Sequence, residues 1–539
     1  MFSSDISSSW DLIRGFFFVW VAILIYSQIR DWLHNKIVAR RTGSQDPPKY
    51  PHKDPIFGLD LFLLYKKSFQ ERNFLDLNWH LFKKYGKTFQ ANRHGVRIVK
   101  TMDPNITKYV HATYFDHFGV EKIRSGAEHL WGDGITVVEG EKWATRRKLI
   151  KPAFDVVHIS NLENRSLATH VERLMQLIPR DGSAVDLMPL FRRLSLDTAS
   201  EFIFGQSMDA LSSPDSHKEF LEAYFYAQRG TAVRLMLGPK LRWLHRDPKW
   251  WKDCDTVNAF LDKRVNEALA RREKSLSNHD GPTSGDGVKP QHQLRLIDEM
   301  AKATQDRFTL RCQMQNVFTP AHDGGAITLS NAFFHLSRNP AAWTRLRAEI
   351  LPTKNEQITY DLLKTYRYLN NVIRETHRVT PISTLISRQC IREVIFPTGG
   401  GRDGAKPLHI RKGDIVDMNF RCTMRDKDFW GEDADLFRPE RWDDFLPDAF
   451  PLADHAEERG DLKKKAAPTW EYTPFGGGPR VCPGFRLVFA EVAYTMVTIL
   501  REFERIESRD DRPWTEESRA TFQNLHGAKV ALFPPAVEE

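Results

Sequence analysis

Apolar residues recur at helical spacing over most of this chain. The period is clearest in FRLVFAEVAYTMVTILREF, residues 485–503, which predicts a buried helix. A second long helix is expected in RCQMQNVFTPAHDGGAITLSNAFFHLSRNP, residues 311–340, with Pro320, Gly324 and Gly325 inside it. Pro320 removes a backbone donor and, with the two glycines, should widen or kink that helix and leave room beside it. Residues 398–414, TGGGRDGAKPLHIRKGD, lose the helical period and read as a strand-and-turn region. Hydrophilic stretches at residues 275–293 and 454–468 predict surface loops. Lys463, Lys464 and Lys465 in the second loop could meet an acidic partner, although a solvated loop is the simpler reading.

The N-terminal pattern differs. GFFFVWVAILIY, residues 15–26, is continuously apolar, and uncharged residues follow as far as Ile29. The strict run falls short of the roughly 20 residues of a full membrane span, so a signal-peptide core or a shallowly inserted helix has to be weighed. No small-residue cleavage site follows it. Arg30, Lys36, Arg40 and Arg41 come after it and Asp5, Asp11 and Arg14 before it, a bias that places the following domain in the cytosol. The expectation is a retained single-pass anchor over residues 1–45, a proline-rich hinge (DPPKYPHKDP) over 46–55 and a catalytic domain over 56–539.

With 539 residues, 41% of them hydrophobic, the chain can bury a large core, and one domain plus a leader is the economical count. Cys254, Cys312, Cys390, Cys422 and Cys482 are odd in number and lack C-x-x-C spacing, which suggests neither a disulfide framework nor a zinc site. The formal charge of +8 is modest, and no basic run interleaved with aromatics points to nucleic acid.

Chemistry concentrates in FGGGPRVCPG, residues 475–484. A cysteine at the start of a buried helix receives backbone N–H groups and the positive end of the helix, which suits Cys482 to hold heme iron as a thiolate. Gly476, Gly477 and Gly478 let the chain turn tightly against a flat macrocycle, and Pro479 stiffens the turn. Gly484 permits close approach after the cysteine. Arg480 can pair with a heme propionate, and Phe475 can shield the sulfur.

Here the chain resembles the cytochrome P-450 family, whose F-x-x-G-x-R-x-C-x-G signature is matched at Phe475, Gly478, Arg480, Cys482 and Gly484. The resemblance implies a mainly α fold with a smaller β region, with heme b between a long distal helix and the proximal Cys-loop helix. It implies that Glu375, Arg378 and Arg441 form a buried ion network, and that Trp143, Arg147 and Arg388 serve the propionates. Two stretches, LWGDGITVVEGEKWATRRKLIKPAFD and the 398–414 region, look like the branch that hydroxylates n-alkanes and fatty acids. That branch also includes enzymes acting on polyketides, terpenoids and other lipophilic metabolites. Electrons would come from NADPH through a separate cytochrome P-450 reductase, with cytochrome b5 as a further donor, because the chain has no dinucleotide loop of its own. An endoplasmic-reticulum membrane location goes with the anchor. Substrate contacts are expected from residues 115–130, 220–243, the distal helix, Leu385, Ile386 and residues 523–526.

The chain departs from the family in the distal helix. The family pattern is [AG]-G-x-[DE]-T-[ST], and this chain has Pro320, Ala321, His322, Asp323, Gly324 and Gly325. The acid is kept and the alcohol is lost, although the family's alcohol positions the water that delivers protons to iron-bound oxygen. Proton delivery is then open to water held by Asp323, donation by His322, a hydroxyl on the substrate, or Thr328 one turn on. Two readings stand beside a monooxygenase: a heme-thiolate isomerase or dehydratase that needs no NADPH, and a heme-binding sensor or carrier.

Overall fold

The computed structural model describes residues 18–19, 22–23, 26, 29–155, 167–277, 295–445, 470–519 and 521–536. Most of the apolar run at 15–26 and the loop at 454–468 lie outside the described residues. Among the described residues no helix is long and apolar enough to cross a membrane. Of the 275–293 stretch only residues 275–277 are described, and they continue a helix rather than a loop.

The fold is mainly helical with a smaller β region. The helices that build the site are α1 (Gly140–Ile150), α2 (Leu187–Phe204), α3 (Lys218–Leu241), α4 (Pro248–Ser277), α5 (Arg307–Leu336), α6 (Arg367–Val379) and α7 (Phe485–Glu502). Side-chain caps set three of their starts; ahead of α4, Asp247 accepts from the Lys249 and Trp250 N–H groups. Asp186 accepts from the Met188 N–H ahead of α2, and Asp306 accepts from the Phe308 and Thr309 N–H groups ahead of α5. α7 buries Leu487, Ala490, Val497 and Leu500 in one core with Leu310, Phe318, Ala326 and Phe333 of α5, as the period of its sequence predicts.

α5 runs as one helix, Arg307–Leu336, with Pro320 inside it. The helix is buried from Cys312 to Phe318 and again from Gly325 to Leu336. Between these stretches Thr319, Ala321, Asp323 and Gly324 are half-buried and Pro320 is exposed.

The main sheet has the order β1-β2-β8-β5-β3, with β1 Thr88–Arg93, β2 Val96–Thr101, β3 Phe118–Gly119, β5 Leu385–Cys390 and β8 Ile415–Asn419. Among these five strands β2 and β8 pair in parallel and the other neighbours antiparallel. The strand-and-turn region at 398–414 forms the hairpin of β6 (Val394–Gly400) and β7 (Lys406–Ile410). β4 (Val185–Asp186), β9 (Arg505–Ser508) and β12 (Lys529–Phe533) make a second sheet, and β10 (Glu516–Ser518) pairs with β11 (Phe522–Asn524). The proline-rich segment at 46–55 is not a free spacer. The Gln90 N–H donates to Pro48 O at 2.8 Å and the Tyr50 N–H to Gln90 O at 2.8 Å, which adds the segment to the edge of β1.

Candidate active site

Cys482 lies in the turn that enters α7. Its N–H donates to Phe475 O at 3.0 Å and the Val481 N–H donates to Gly478 O at 3.0 Å, which closes the loop on itself. Gly476 and Gly478 have φ of 74° and 62°, where side chains are strained. A Cβ on Gly478 would also strike the His111 carbonyl. Gly484 differs: its φ is −87°, and an added Cβ would meet Phe154 at an ordinary 3.4 Å. Burial pushes the Cys482 thiol up, while the Gly484 and Phe485 N–H groups and Arg147 oppose that shift. Phe475 stands edge-on to His377, with ring centroids 5.0 Å apart.

Beside this loop lies a group of cations, Arg388 buried and Arg124 and Arg480 half-buried. Burial and the charges of Arg124 and Arg480 hold Arg388, on β5, well below the usual guanidinium range. Arg124 and Arg480 are each pushed down to about 10, mainly by burial. Their partners are mostly backbone carbonyls. Arg124 donates to Thr136 O, Arg480 to Val138 O at 2.7 Å, and Arg388 to Ser387 O at 3.0 Å. The neighbouring carboxylate, Glu139, accepts from the Val120 and Glu121 N–H groups. His111 donates through Nδ1 to Gly477 O at 3.3 Å, and its buried Nε2 has no partner. The Arg480 guanidinium lies 4.8 Å from the Trp143 ring, which packs on Phe115 at 5.4 Å.

Buried cations in excess of anions are costly, so this cluster is built for an anionic ligand. Heme b carries two carboxylates and an iron that takes one thiolate, and the residues present fit both requirements. The structure thus brings Trp143, Arg388, Arg480 and the 475–484 loop together, with Arg147 near the sulfur. It adds Arg124 and His111, which no motif marks. Arg124 was legible only as a member of the 115–130 segment.

Glu375 and Arg378 are both fully buried. Arg378 Nε and Nη2 donate to the two Glu375 carboxylate oxygens, each at 2.8 Å. Arg441 Nε and Trp442 Nε1 donate to the same carboxylate at 3.2 and 3.0 Å. The remaining Arg378 and Arg441 donors reach the carbonyls of Met424, Ala434, Leu436, Trp430 and Asp433, and Arg441 Nη1 also pairs with the Asp433 carboxylate at 2.9 Å.

The distal candidates make contacts outside the Cys482 cluster. His322 is buried, donates through Nδ1 to Phe318 O at 2.9 Å, and packs on Phe318, Tyr224 and Phe225. Burial lowers its pKa, which favours the neutral ring. Asp323 Oδ2 accepts from Thr521 Oγ1 at 2.8 Å, and Oδ1 lies 3.7 Å from Arg192 Nη2. Thr328 Oγ1 donates back to Gly324 O at 2.9 Å. A Cβ on Gly324 would meet nothing within 4 Å.

A thiolate donor at a helix start, set beside a cationic pocket for two carboxylates, defines a heme-thiolate protein. The sequence model of the cytochrome P-450 family matches residues 48–528, and the chain belongs to that family. It is 35% identical over 503 residues to cytochrome P-450 monooxygenase iccC of Talaromyces variabilis, covering 92% of this chain and 93% of the relative. It is 34% identical over 498 residues to cytochrome P-450 monooxygenase fumoA of Cordyceps fumosorosea, covering 91% and 92%. Cytochrome P-450 monooxygenase apdE of Emericella nidulans is 32% identical over 525 residues, 96% and 95% of the two chains. The chain is a heme-thiolate monooxygenase that uses heme b, dioxygen and electrons from a redox partner.

Proposed function

We propose that this monooxygenase hydroxylates a lipophilic substrate, either a fatty acid or alkane or a secondary metabolite of polyketide or terpenoid type. NADPH–cytochrome P-450 reductase would supply the electrons, with cytochrome b5 as a second donor, and the N-terminal segment would anchor the domain at the endoplasmic-reticulum membrane. The observation that carries the reading is the cluster of Arg124, Arg388 and Arg480 beside the Cys482 turn, with Arg388 buried and the other two half-buried. Cys482 would be the axial ligand, and Arg124, Arg388, Arg480, His111 and Trp143 would hold the propionates. Arg147 would favour the ionised sulfur. Heme b, when bound, supplies reductive activation of dioxygen, with one atom inserted into a C–H bond and the other leaving as water.

The protein's own part is selection and proton handling. Half-buried Leu385 and Ile386 of β5 and the open stretch of α5 at Pro320–Gly324 offer an apolar wall with few polar groups, which suits a lipophilic carbon skeleton. Asp323, bonded to Thr521, would hold a water in the open space beside Gly324. The packing of His322 on α3 supports a structural role for that ring over donation.

The test is a panel of fatty acids, alkanes, polyketides and terpenoids offered to the heme-loaded full-length chain with reductase. Hydroxylated product formed with NADPH from at least one member supports the reading. Rearranged product without NADPH would move it to isomerase or dehydratase chemistry.

A further inference from the structure

We infer that Thr521, on the C-terminal hairpin, is the positioning hydroxyl that the distal helix lacks, orienting the Asp323 carboxylate beside Gly324. This rests on the monooxygenase reading and goes beyond it to a residue far from the distal helix in sequence.

The alcohols of α5 near this point are engaged elsewhere. Thr319 Oγ1 donates to Gln315 O at 2.8 Å and accepts from Tyr224 Oη at 3.0 Å. Thr328 Oγ1 donates to Gly324 O. Gly324 brings no hydroxyl, and the space beside it would admit a Cβ and more. The hydroxyl that reaches the acid is Thr521 Oγ1, at 2.8 Å from Oδ2. Arg192 of α2 faces the other oxygen at 3.7 Å, so each carboxylate oxygen has its own partner and the group is held in one orientation.

The hairpin that carries Thr521 is itself fixed. Arg192 Nη2 also donates to Gln523 Oε1, and the Phe522 N–H donates to Ile382 O at 3.0 Å. Glu516 accepts from the Phe74 and Leu75 N–H groups at 2.7 and 2.8 Å, and the Phe522 ring stacks on Phe74 at 5.9 Å. A hydroxyl on such a support loses little freedom when it binds the carboxylate. The hairpin also leads outward. Gln523 Nε2 donates to Glu517, which pairs at 3.4 Å with Arg519, and Arg519 is exposed. Asp323 therefore adjoins both the space at Gly324 and a polar strip that reaches solvent. In this arrangement Thr521 supplies no net proton. The Thr521 hydroxyl keeps its own hydrogen and fixes where the Asp323 carboxylate points, so that the carboxylate can accept from and orient a water in the space beside Gly324.

The experiment compares Thr521→Val, Thr521→Ser, Asp323→Asn and the Thr521→Val/Asp323→Asn double variant in the full-length, heme-loaded protein with reductase. Product formed per NADPH, hydrogen peroxide released and the infrared stretch of carbon monoxide bound to the reduced protein are measured for each. Thr521→Val should lower product per NADPH about tenfold with a matching rise in peroxide, Thr521→Ser should restore it, and Thr521→Val should add nothing to Asp323→Asn. The carbon monoxide stretch should move in Thr521→Val in the direction seen for Asp323→Asn and stay put in Thr521→Ser. Unchanged coupling and an unchanged stretch in Thr521→Val would overturn the inference. So would equal loss in the valine and serine variants, which marks a packing role. If the parent forms no NADPH-dependent product, the monooxygenase reading itself fails, and the carbon monoxide stretch still decides whether Thr521 orients Asp323.

Discussion

Gly324 and Gly478 flank the same chemistry and answer opposite demands. Gly478 has φ of 62° with the His111 carbonyl against it, so Gly478→Ala meets both left-handed strain of about 1–2 kcal/mol and a backbone collision. It should unfold at lower temperature and bind heme poorly. Gly324 sits in a helix interior with open space where a Cβ would stand, so Gly324→Ala should raise stability by about 0.5–1 kcal/mol in denaturant melts. Destabilisation by Gly324→Ala would mean that the space is not open. Arg388 allows a sharper test, because its neighbours repel it in the protein alone and an anion would relieve them. Arg388→Met should stabilise the heme-free protein and at the same time speed heme loss from the loaded one; slower or unchanged heme loss would contradict the propionate role. The residues of the loop were legible in the sequence because ten consecutive positions carry the whole demand. Arg124, His111 and Thr521 were not legible, because each reaches its place through tertiary packing and its local spacing has no period or signature.

At the scale of elements, α6 and the 424–442 segment meet at the Glu375 carboxylate. Glu375 accepts from Arg378, Arg441, Trp442 and the Arg438 N–H, all in the interior. Removing it leaves two buried guanidinium groups without that partner, and Glu375→Ala should cost about 3–5 kcal/mol, read as a fall in the urea midpoint. A loss under about 1 kcal/mol would show that the network is dispensable. The E-x-x-R spacing pointed to this pair only through its place in the chain order, since the same spacing on an exposed helix is a solvated pair. α5 stays one helix across Pro320, where tight packing on either side offsets the single missing N–H. The proline-rich segment at 46–55 still offers the Pro48 carbonyl and the Tyr50 N–H, and the β1 edge takes both, a pairing that its prolines do not announce.

Across the whole molecule, several buried rings make stability depend on pH. Burial lowers His335, stacked on Phe437, to about 3, and His377, beside Phe475, to about 4. A histidine depressed in the folded state takes up its proton in the unfolded chain first. Its contribution is therefore complete above the unfolded value near 6.5 and is lost as pH falls from there toward 3–4. Each ring should remove about 1.4 kcal/mol of stability per pH unit in that window. Thermal melts between pH 7 and 5 should show the fall, and His377→Phe should flatten it; a flat parent profile would show that these rings are not buried neutral. The predominance of helix over sheet was readable from periodicity alone. The pairing of β2 with β8 more than three hundred residues later was not, because only long-range burial selects that partner. The most direct measurement at this scale is turnover of an accepted substrate under isotopically labelled dioxygen with NADPH and reductase. One labelled atom in the product and its loss in Cys482→Ser are the expected result, and unlabelled product formed without NADPH would contradict a monooxygenase.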